Sequence, residues 1–155
     1  MRFIVVTDSQ FERPELMNLV QEVERRRDID ALFHLGDVEA DAEYLRGRLS
    51  VPVYGVPGNC DFNRVDPAER SVNLGGVTIF YCHGHTLGVK LSLQRLYYRA
   101  CEAGAQIALF GHTHARCLRR ENGVWLLNPG ALADGRYALC EIQAGQLATP
   151  QLMEL

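Results

Sequence analysis

Short apolar runs in this 155-residue chain repeatedly stop at a side chain that can hold a cation. RFIVVT (2–7) runs into Asp8, IDALFHLG (29–36) into Asp37, and VPVYGV (51–56) passes through Pro57 and Gly58 to Asn59. VTIFYC (77–82) ends at His83, and AQIALF (105–110) leads through Gly111 to His112, with His114 two positions on. Runs this short, rich in β-branched and aromatic residues, read as buried strands rather than helices. In open α/β sheets, ligands bind at the carboxyl ends of the strands. One Asp or Asn after a strand is ordinary turn chemistry. Carboxylates, an amide and imidazoles at successive strand ends are more than turn preference supplies.

Between these runs the pattern changes period. Pro14 opens PELMNLVQEVERRR, where Leu16, Leu19, Val20 and Val23 recur at helical spacing, and proline suits a first helical turn. DAEYLRGRL (41–49) reads as a short helix and KLSLQRLYYRACEAG (90–104) as a helix closed by Gly104. RSVNLGGVTIFYC (70–82) reads as a hairpin turning at Gly75-Gly76, and the last forty or so residues as two hairpins turning near Asn122-Gly123 and Ala144-Gly145. Strand–helix alternation followed by hairpins predicts an α/β fold of two packed sheets with helices outside. Periodicity alone does not separate two sheets from one.

Composition narrows the function classes. Hydrophobic residues make up 47% and charged residues 23%, as in an ordinary globular protein, and the length predicts a single domain over residues 1–155. No apolar run approaches a bilayer span, and the run after Met1 is too short for a signal-peptide core, so a cytoplasmic protein without membrane partners is expected. Net charge is −3 with no basic stripe, which disfavours a generic nucleic-acid surface; EVERRRD reads as a solvated helix face. The cysteines Cys60, Cys82, Cys101, Cys117 and Cys140 are odd in number and lack a C-x-x-C pair. They read as reduced thiols, which leaves a redox or zinc-knuckle protein with little support.

Asp8 and Asp37, if brought together, would repel unless something positive neutralised them. The four residues that follow each of them include no Lys or Arg to do so. Divalent cations are the economical answer. Mixed oxygen and nitrogen donors suit Mn²⁺, Fe²⁺, Zn²⁺, Ni²⁺ or Co²⁺, and the donor set is too large for one tetrahedral ion, so two ions are expected. Gly36, Gly58, Gly84 and Gly111 each adjoin a proposed donor, where a sharp turn lets the backbone come close.

The ordered set TDSQ, LGDVEAD, GVPGNCD, CHGH and FGHTHA resembles the calcineurin-like metallophosphoesterases. The GNCD and HGH forms resemble their small YfcE-like phosphodiesterase branch, and NPG at 128–130 resembles the family's loop beneath the site. The likeness runs from about residue 1 to 140. It implies a four-layer α/β/β/α sandwich, a dinuclear metal centre with Mn²⁺ the first choice, and a small phosphoester substrate. Carried over by position, Asp8, Asp37 and His114 are ligands of one ion, with Gln10 where the family has a histidine. Asp37 bridges, and Asn59, His83 and His112 hold the second ion. The resemblance implies a metal-dependent phosphoric ester hydrolase in which Asn59 and His83 also act on the phosphoryl group, with hydroxide bridging the ions as nucleophile.

Two positions depart from the family. Gln10 offers a neutral amide where an imidazole is expected. It then coordinates through oxygen, leaves room for water, or leaves a weak first site. The alternative this opens is a non-catalytic protein-binding scaffold like Vps29 of retromer, with a degraded metal site. Cys60 stands where many relatives carry a histidine that protonates the leaving group. His85 is the candidate replacement, and a weak acid there favours diesters and activated aryl esters. Asp61 is expected to orient the Asn59 loop. His34 reads as a satisfied near-core histidine. Tyr97, Tyr98 and Arg99 read as packing or subunit-contact residues, which leaves a homo-oligomer open. Loops 62–69 and 85–90 are expected to form the pocket rim.

Overall fold

The computed structural model describes residues 1–10, 13–62 and 66–155. The first sheet is built from β1 (Arg2–Val6), β2 (Ala31–His34), β3 (Val53–Gly55), β9 (Arg136–Gln143) and β10 (Gln146–Leu147), in the order β10-β9-β1-β2-β3, with β11 (Gln151–Glu154) also pairing with β9. The second holds β4 (Glu69–Leu74), β5 (Val77–Cys82), β6 (Ile107–Leu109), β7 (Cys117–Glu121) and β8 (Val124–Asn128), in the order β4-β5-β6-β8-β7. Helices α1 (Arg13–Arg26) and α2 (Glu39–Arg48) cover the first sheet, and α3 (Gln94–Glu102) covers the second. The result is the α/β/β/α sandwich, with two sheets where the sequence pattern left one or two open.

Side-chain alternation explains the layering. Along β1, Phe3 and Val5 face the opposite sheet, while Ile4 and Val6 face α1 through Leu16, Leu19 and Val23. Both faces of the strand are buried, so its sequence is a continuous apolar run rather than an alternating one. Phe33 on β2 is fully buried and lies 5.2 Å from the Phe3 ring, 5.0 Å from Tyr54 and 5.1 Å from Tyr81, which ties the sheets together. On the outer side of the second sheet, Phe80, Ala108 and Leu126 meet Leu96 and Ala100 of α3.

Strands β1, β2 and β3 are parallel, as are β5, β6 and β8. Their carboxyl ends therefore gather the loops carrying Asp8, Asp37 and Asn59 from one sheet and His83 and His112 from the other.

Several elements differ from the sequence expectation. β3 and β6 are three residues each, shorter than 51–56 and 105–110, and β11 adds a strand beyond the final hairpin. α2 starts at Glu39 rather than Asp41. α3 starts at Gln94 rather than near residue 90, because Leu91 and Ser92 donate their N–H groups back to the Gly88 carbonyl in a turn. The EVERRRD face is not merely solvated. Arg26 donates to the Tyr137 hydroxyl (3.1 Å), and that hydroxyl donates to Glu22 (3.2 Å), tying α1 to β9. Of the expected rim, residues 63–65 lie outside the described residues; among the described residues, no helix is long and apolar enough to cross a membrane.

Phe33→Ala is expected to cost about 3–5 kcal/mol in denaturant unfolding, as truncation of a buried aromatic does. The exposed Tyr98→Ala should stay within about 0.5 kcal/mol of wild type in the same measurement.

Candidate metal centre

The loops at the strand ends hold their donors in unusual backbone conformations. Asp8 (φ 53°), Gln10 (53°), Asp37 (49°), Val38 (77°), His112 (71°) and His114 (60°) all lie in the left-handed region. Asp and His tolerate that region through their polar side chains, but a β-branched valine there is a true outlier. Strain of this kind concentrates at functional sites. The loops persist because other groups hold them. Asp8 donates its N–H to the Gly36 carbonyl (3.2 Å), and Gly111 donates to the His83 carbonyl (2.9 Å). The Asp61 carboxylate accepts the N–H groups of Val38 and Glu39 (both 2.9 Å) and of Gly58 (2.8 Å). Asp61 thus steadies the Asn59 loop and also caps α2 just after Asp37, a second duty that its position in GNCD does not reveal.

Close backbone approach requires glycine at two of these positions. A Cβ on Gly58 would stand 2.1 Å from Asp37 Oδ1, and one on Gly111 would stand 2.1 Å from Thr7 Oγ1 and 2.8 Å from Asp8 Oδ2. From below, the buried Asn128 side chain donates to the Gly111 carbonyl (3.2 Å) and Thr113 Oγ1 (3.0 Å).

Within this frame, Asp8, Asp37 and His83 are all buried, and one donor atom of each lies within 4.8 Å of the others. His83 Nδ1 donates to the Leu35 carbonyl (2.8 Å), which in the neutral ring leaves a lone pair on Nε2. Around that Nε2 stand Asn59 Oδ1 (3.1 Å), His112 Nδ1 (3.2 Å), Asp37 Oδ2 (3.5 Å) and Asp8 Oδ1 (3.9 Å). Asp8 Oδ2 is satisfied by Thr7 Oγ1 (2.8 Å) and the His112 N–H (3.1 Å). Asp8 Oδ1 is buried and accepts no hydrogen bond among the described residues, although His114 Nε2 lies 3.2 Å away. Buried carboxylate oxygens are ordinarily satisfied, and an orphan calls for an ion or equivalent partner. Carboxylate lone pairs facing an imidazole lone pair around an orphaned oxygen fit a divalent cation.

The exposed residues close the other side. Gln10 places its carboxamide nitrogen 3.2 Å from His114 Nε2, and an amide flip would turn its oxygen into the same space. Asn59, Cys60 and His114 are exposed, while His85 and His112 are half-buried. The Cys60 N–H donates to Asp37 Oδ1 (3.1 Å), and the Asp37 charge holds the Cys60 thiol above its usual range, so it stays protonated. His85 lies 5.5 Å, ring to ring, from His83 and 6.2 Å from His112. Its buried Nδ1 has no hydrogen-bond partner among the described residues. Burial, and then neighbouring His83, push both His85 and His112 below the ordinary imidazole value.

Behind the carboxylates lies a layer that sequence reasoning did not assemble. His34 is buried, as expected, and satisfied on both nitrogens: by the Gly36 N–H (3.4 Å) and by Ser9 Oγ (3.0 Å). Ser9 in turn donates to Asp41 Oδ2 (2.6 Å). Burial lowers the His34 pKa to about 4. Asp41, one helical turn beyond Asp37, was legible only as a residue near a helix start.

Residues 1–145 match the calcineurin-like phosphoesterase superfamily domain. The chain is similar to the probable metallophosphoesterase YsnB of Bacillus subtilis, 33% identical over 132 residues that cover 85% of this chain and 75% of that one. It also resembles the crystal structure of a conserved uncharacterized protein, a predicted phosphoesterase, from Streptococcus pneumoniae: TM-score 0.81, 28% identity, covering 99% of this chain and 88% of that. Vps29 of Entamoeba histolytica, in its zinc complex, shares the fold at 18% identity with a TM-score of 0.78, covering 100% of this chain and 98% of that.

Asp61→Ala leaves the N–H groups of Val38, Glu39 and Gly58 without their acceptor. It should lower unfolding free energy by about 1–3 kcal/mol in denaturant titration, with Phe62→Ala at the exposed neighbouring position close to neutral.

Proposed function

The chain belongs to the calcineurin-like phosphoesterase superfamily, and from that premise we propose that it is a metal-dependent hydrolase of phosphodiesters or activated aryl phosphate esters. The observation that carries the reading is the buried cluster of Asp8, Asp37 and His83, in which Asp8 Oδ1 has no hydrogen-bond partner among the described residues. In this reading these residues would hold two divalent cations, Mn²⁺ first among the candidates, with Asp37 a ligand to both. Asp8, Gln10 and His114 serve one, and Asn59, His83 and His112 serve the other. Cations held there would supply a water of lowered pKa as nucleophile and positive charge for the phosphoryl oxygens.

The chain's own groups then set the substrate class. The Leu35 carbonyl fixes the His83 tautomer, so His83 presents Nε2 to the site. Asn59, at the exposed lip, can turn its amide N–H toward a phosphoryl oxygen. The leaving group needs a proton only if it is a strong base. Cys60, held as a thiol by Asp37, is a poor acid, and His85 is held neutral by burial and by His83. A site without a ready acid favours leaving groups that depart as weakly basic anions. That supports activated aryl esters, and diesters bearing such groups, over alkyl monoesters.

A protein-binding scaffold is the second reading, favoured by Gln10 in an imidazole's place and by the fold shared with Vps29. Hydrolysis of bis-p-nitrophenyl phosphate separates the two. The enzyme reading predicts turnover that needs added Mn²⁺, is abolished by chelation, and falls to background in Asp37→Ala. Turnover absent with every divalent metal tried, or unchanged in Asp37→Ala, would contradict it. Gln10→His should reach half-maximal rate at a lower Mn²⁺ concentration than wild type; an equal or higher requirement would show that Gln10 is not the weak donor.

A further inference from the structure

We infer that Ser9 is a positioning residue for this centre: its buried hydroxyl ties the Asp8 loop to His34 and Asp41 and so sets how the two carboxylates face each other. The inference rests on the reading of Asp8 and Asp37 as metal ligands. Ser9 is fully buried and sits between Asp8 and Gln10, both left-handed. Its Oγ lies 3.0 Å from His34 Nε2 and 2.6 Å from Asp41 Oδ2.

The hydrogen bonds have one direction. The Gly36 N–H donates to His34 Nδ1 (3.4 Å), so in the neutral ring the proton is on Nε2. That Nε2–H donates to Ser9 Oγ, and the Ser9 hydroxyl donates to the buried Asp41 carboxylate. The chain therefore joins three segments: the loop after β1 with Asp8, the loop after β2 with Gly36 and Asp37, and the first turn of α2. A second strut runs beside it, from the Asp8 N–H to the Gly36 carbonyl (3.2 Å). Without the hydroxyl, a turn flanked by two strained residues is free to relax toward ordinary backbone angles, and the Asp8 carboxylate would move with it.

The same three residues do not form a nucleophile and its base. Ser9 donates to the carboxylate rather than to the imidazole, and its oxygen is shut away from solvent. A catalytic serine requires the opposite polarity and an open face.

Calorimetric titration of metal-stripped protein with Mn²⁺, alongside melting of the same metal-free samples, tests the inference. Ser9→Ala is expected to bind Mn²⁺ at least about 10-fold more weakly, the scale seen when groups that orient metal ligands are removed. Asp41→Asn, which keeps an oxygen to accept the Ser9 hydroxyl, should stay close to wild type. A lower melting temperature alone does not support the inference. Ser9→Ala with wild-type affinity overturns it, however far its melting point falls. Wild type that takes up no Mn²⁺ would instead bring down the metal reading itself, a different result from equal binding by both proteins. Nitrogen-15 spectra of wild type give a check that needs no variant: a proton on His34 Nε2 is expected, and a proton on Nδ1 overturns the proposal.

Discussion

Two buried carboxylates with no lysine or arginine between them, among the described residues, are the constraint around which this molecule is arranged. Asp8 is fully buried and Asp37 nearly so, and both point toward the same His83 nitrogen. Taking one ionised carboxylate out of water costs several kcal/mol, and a second beside it adds repulsion. Backbone N–H groups answer part of the charge: His112 donates to Asp8, and Cys60 to Asp37. The remainder, concentrated on Asp8 Oδ1, is left for a cation. Burial, which makes the pair costly, also makes a cation placed there more strongly held, since solvent screens the attraction less.

Everything around the pair serves its geometry. Parallel strands in each sheet deliver donors to one edge, and the aromatic contacts of Phe33 lock the sheets so that the edges coincide. The donor loops are strained, and three polar supports hold them from different sides: Asp61 from the α2 start, Asn128 from below, and the His34–Ser9–Asp41 chain from behind. The open side belongs to Gln10, Asn59, Cys60 and His114, where a phosphoester would approach.

Much of this was legible in the sequence because strand ends announce themselves. A short apolar run followed by Asp, Asn or His fixes both an element and the place where it delivers a side chain, and the side chains of Asp8, Asp37, Asn59, His83, His112 and His114 stand together at those strand ends. The GHTH histidines, two apart, both face the cluster from different sides: His112 stands against His83, and His114 against Asp8 and Gln10. Less legible was whatever depends on distant partners. A serine between Asp8 and Gln10 gives no hint that its hydroxyl meets a histidine from β2 and an aspartate from α2. Left-handed angles at Asp and His are permitted by residue type, but nothing in a valine suggests that Val38 adopts one; the Asp61 cap makes it hold. The number of sheets was likewise hidden, since two-sided burial leaves the same apolar run in either arrangement. The late start of α3 depends on backbone hydrogen bonds to Gly88, which no periodicity records.

Anomalous diffraction from crystals of the protein grown with Mn²⁺ tests the central claim most directly. Peaks within bonding distance of Asp8 Oδ1, Asp37 and His83 Nε2 are what the buried acidic pair demands. An ordered site with these side chains placed as described and no anomalous density among them, at saturating Mn²⁺, would mean that the two carboxylates are tolerated by some other means and that the metal account is wrong.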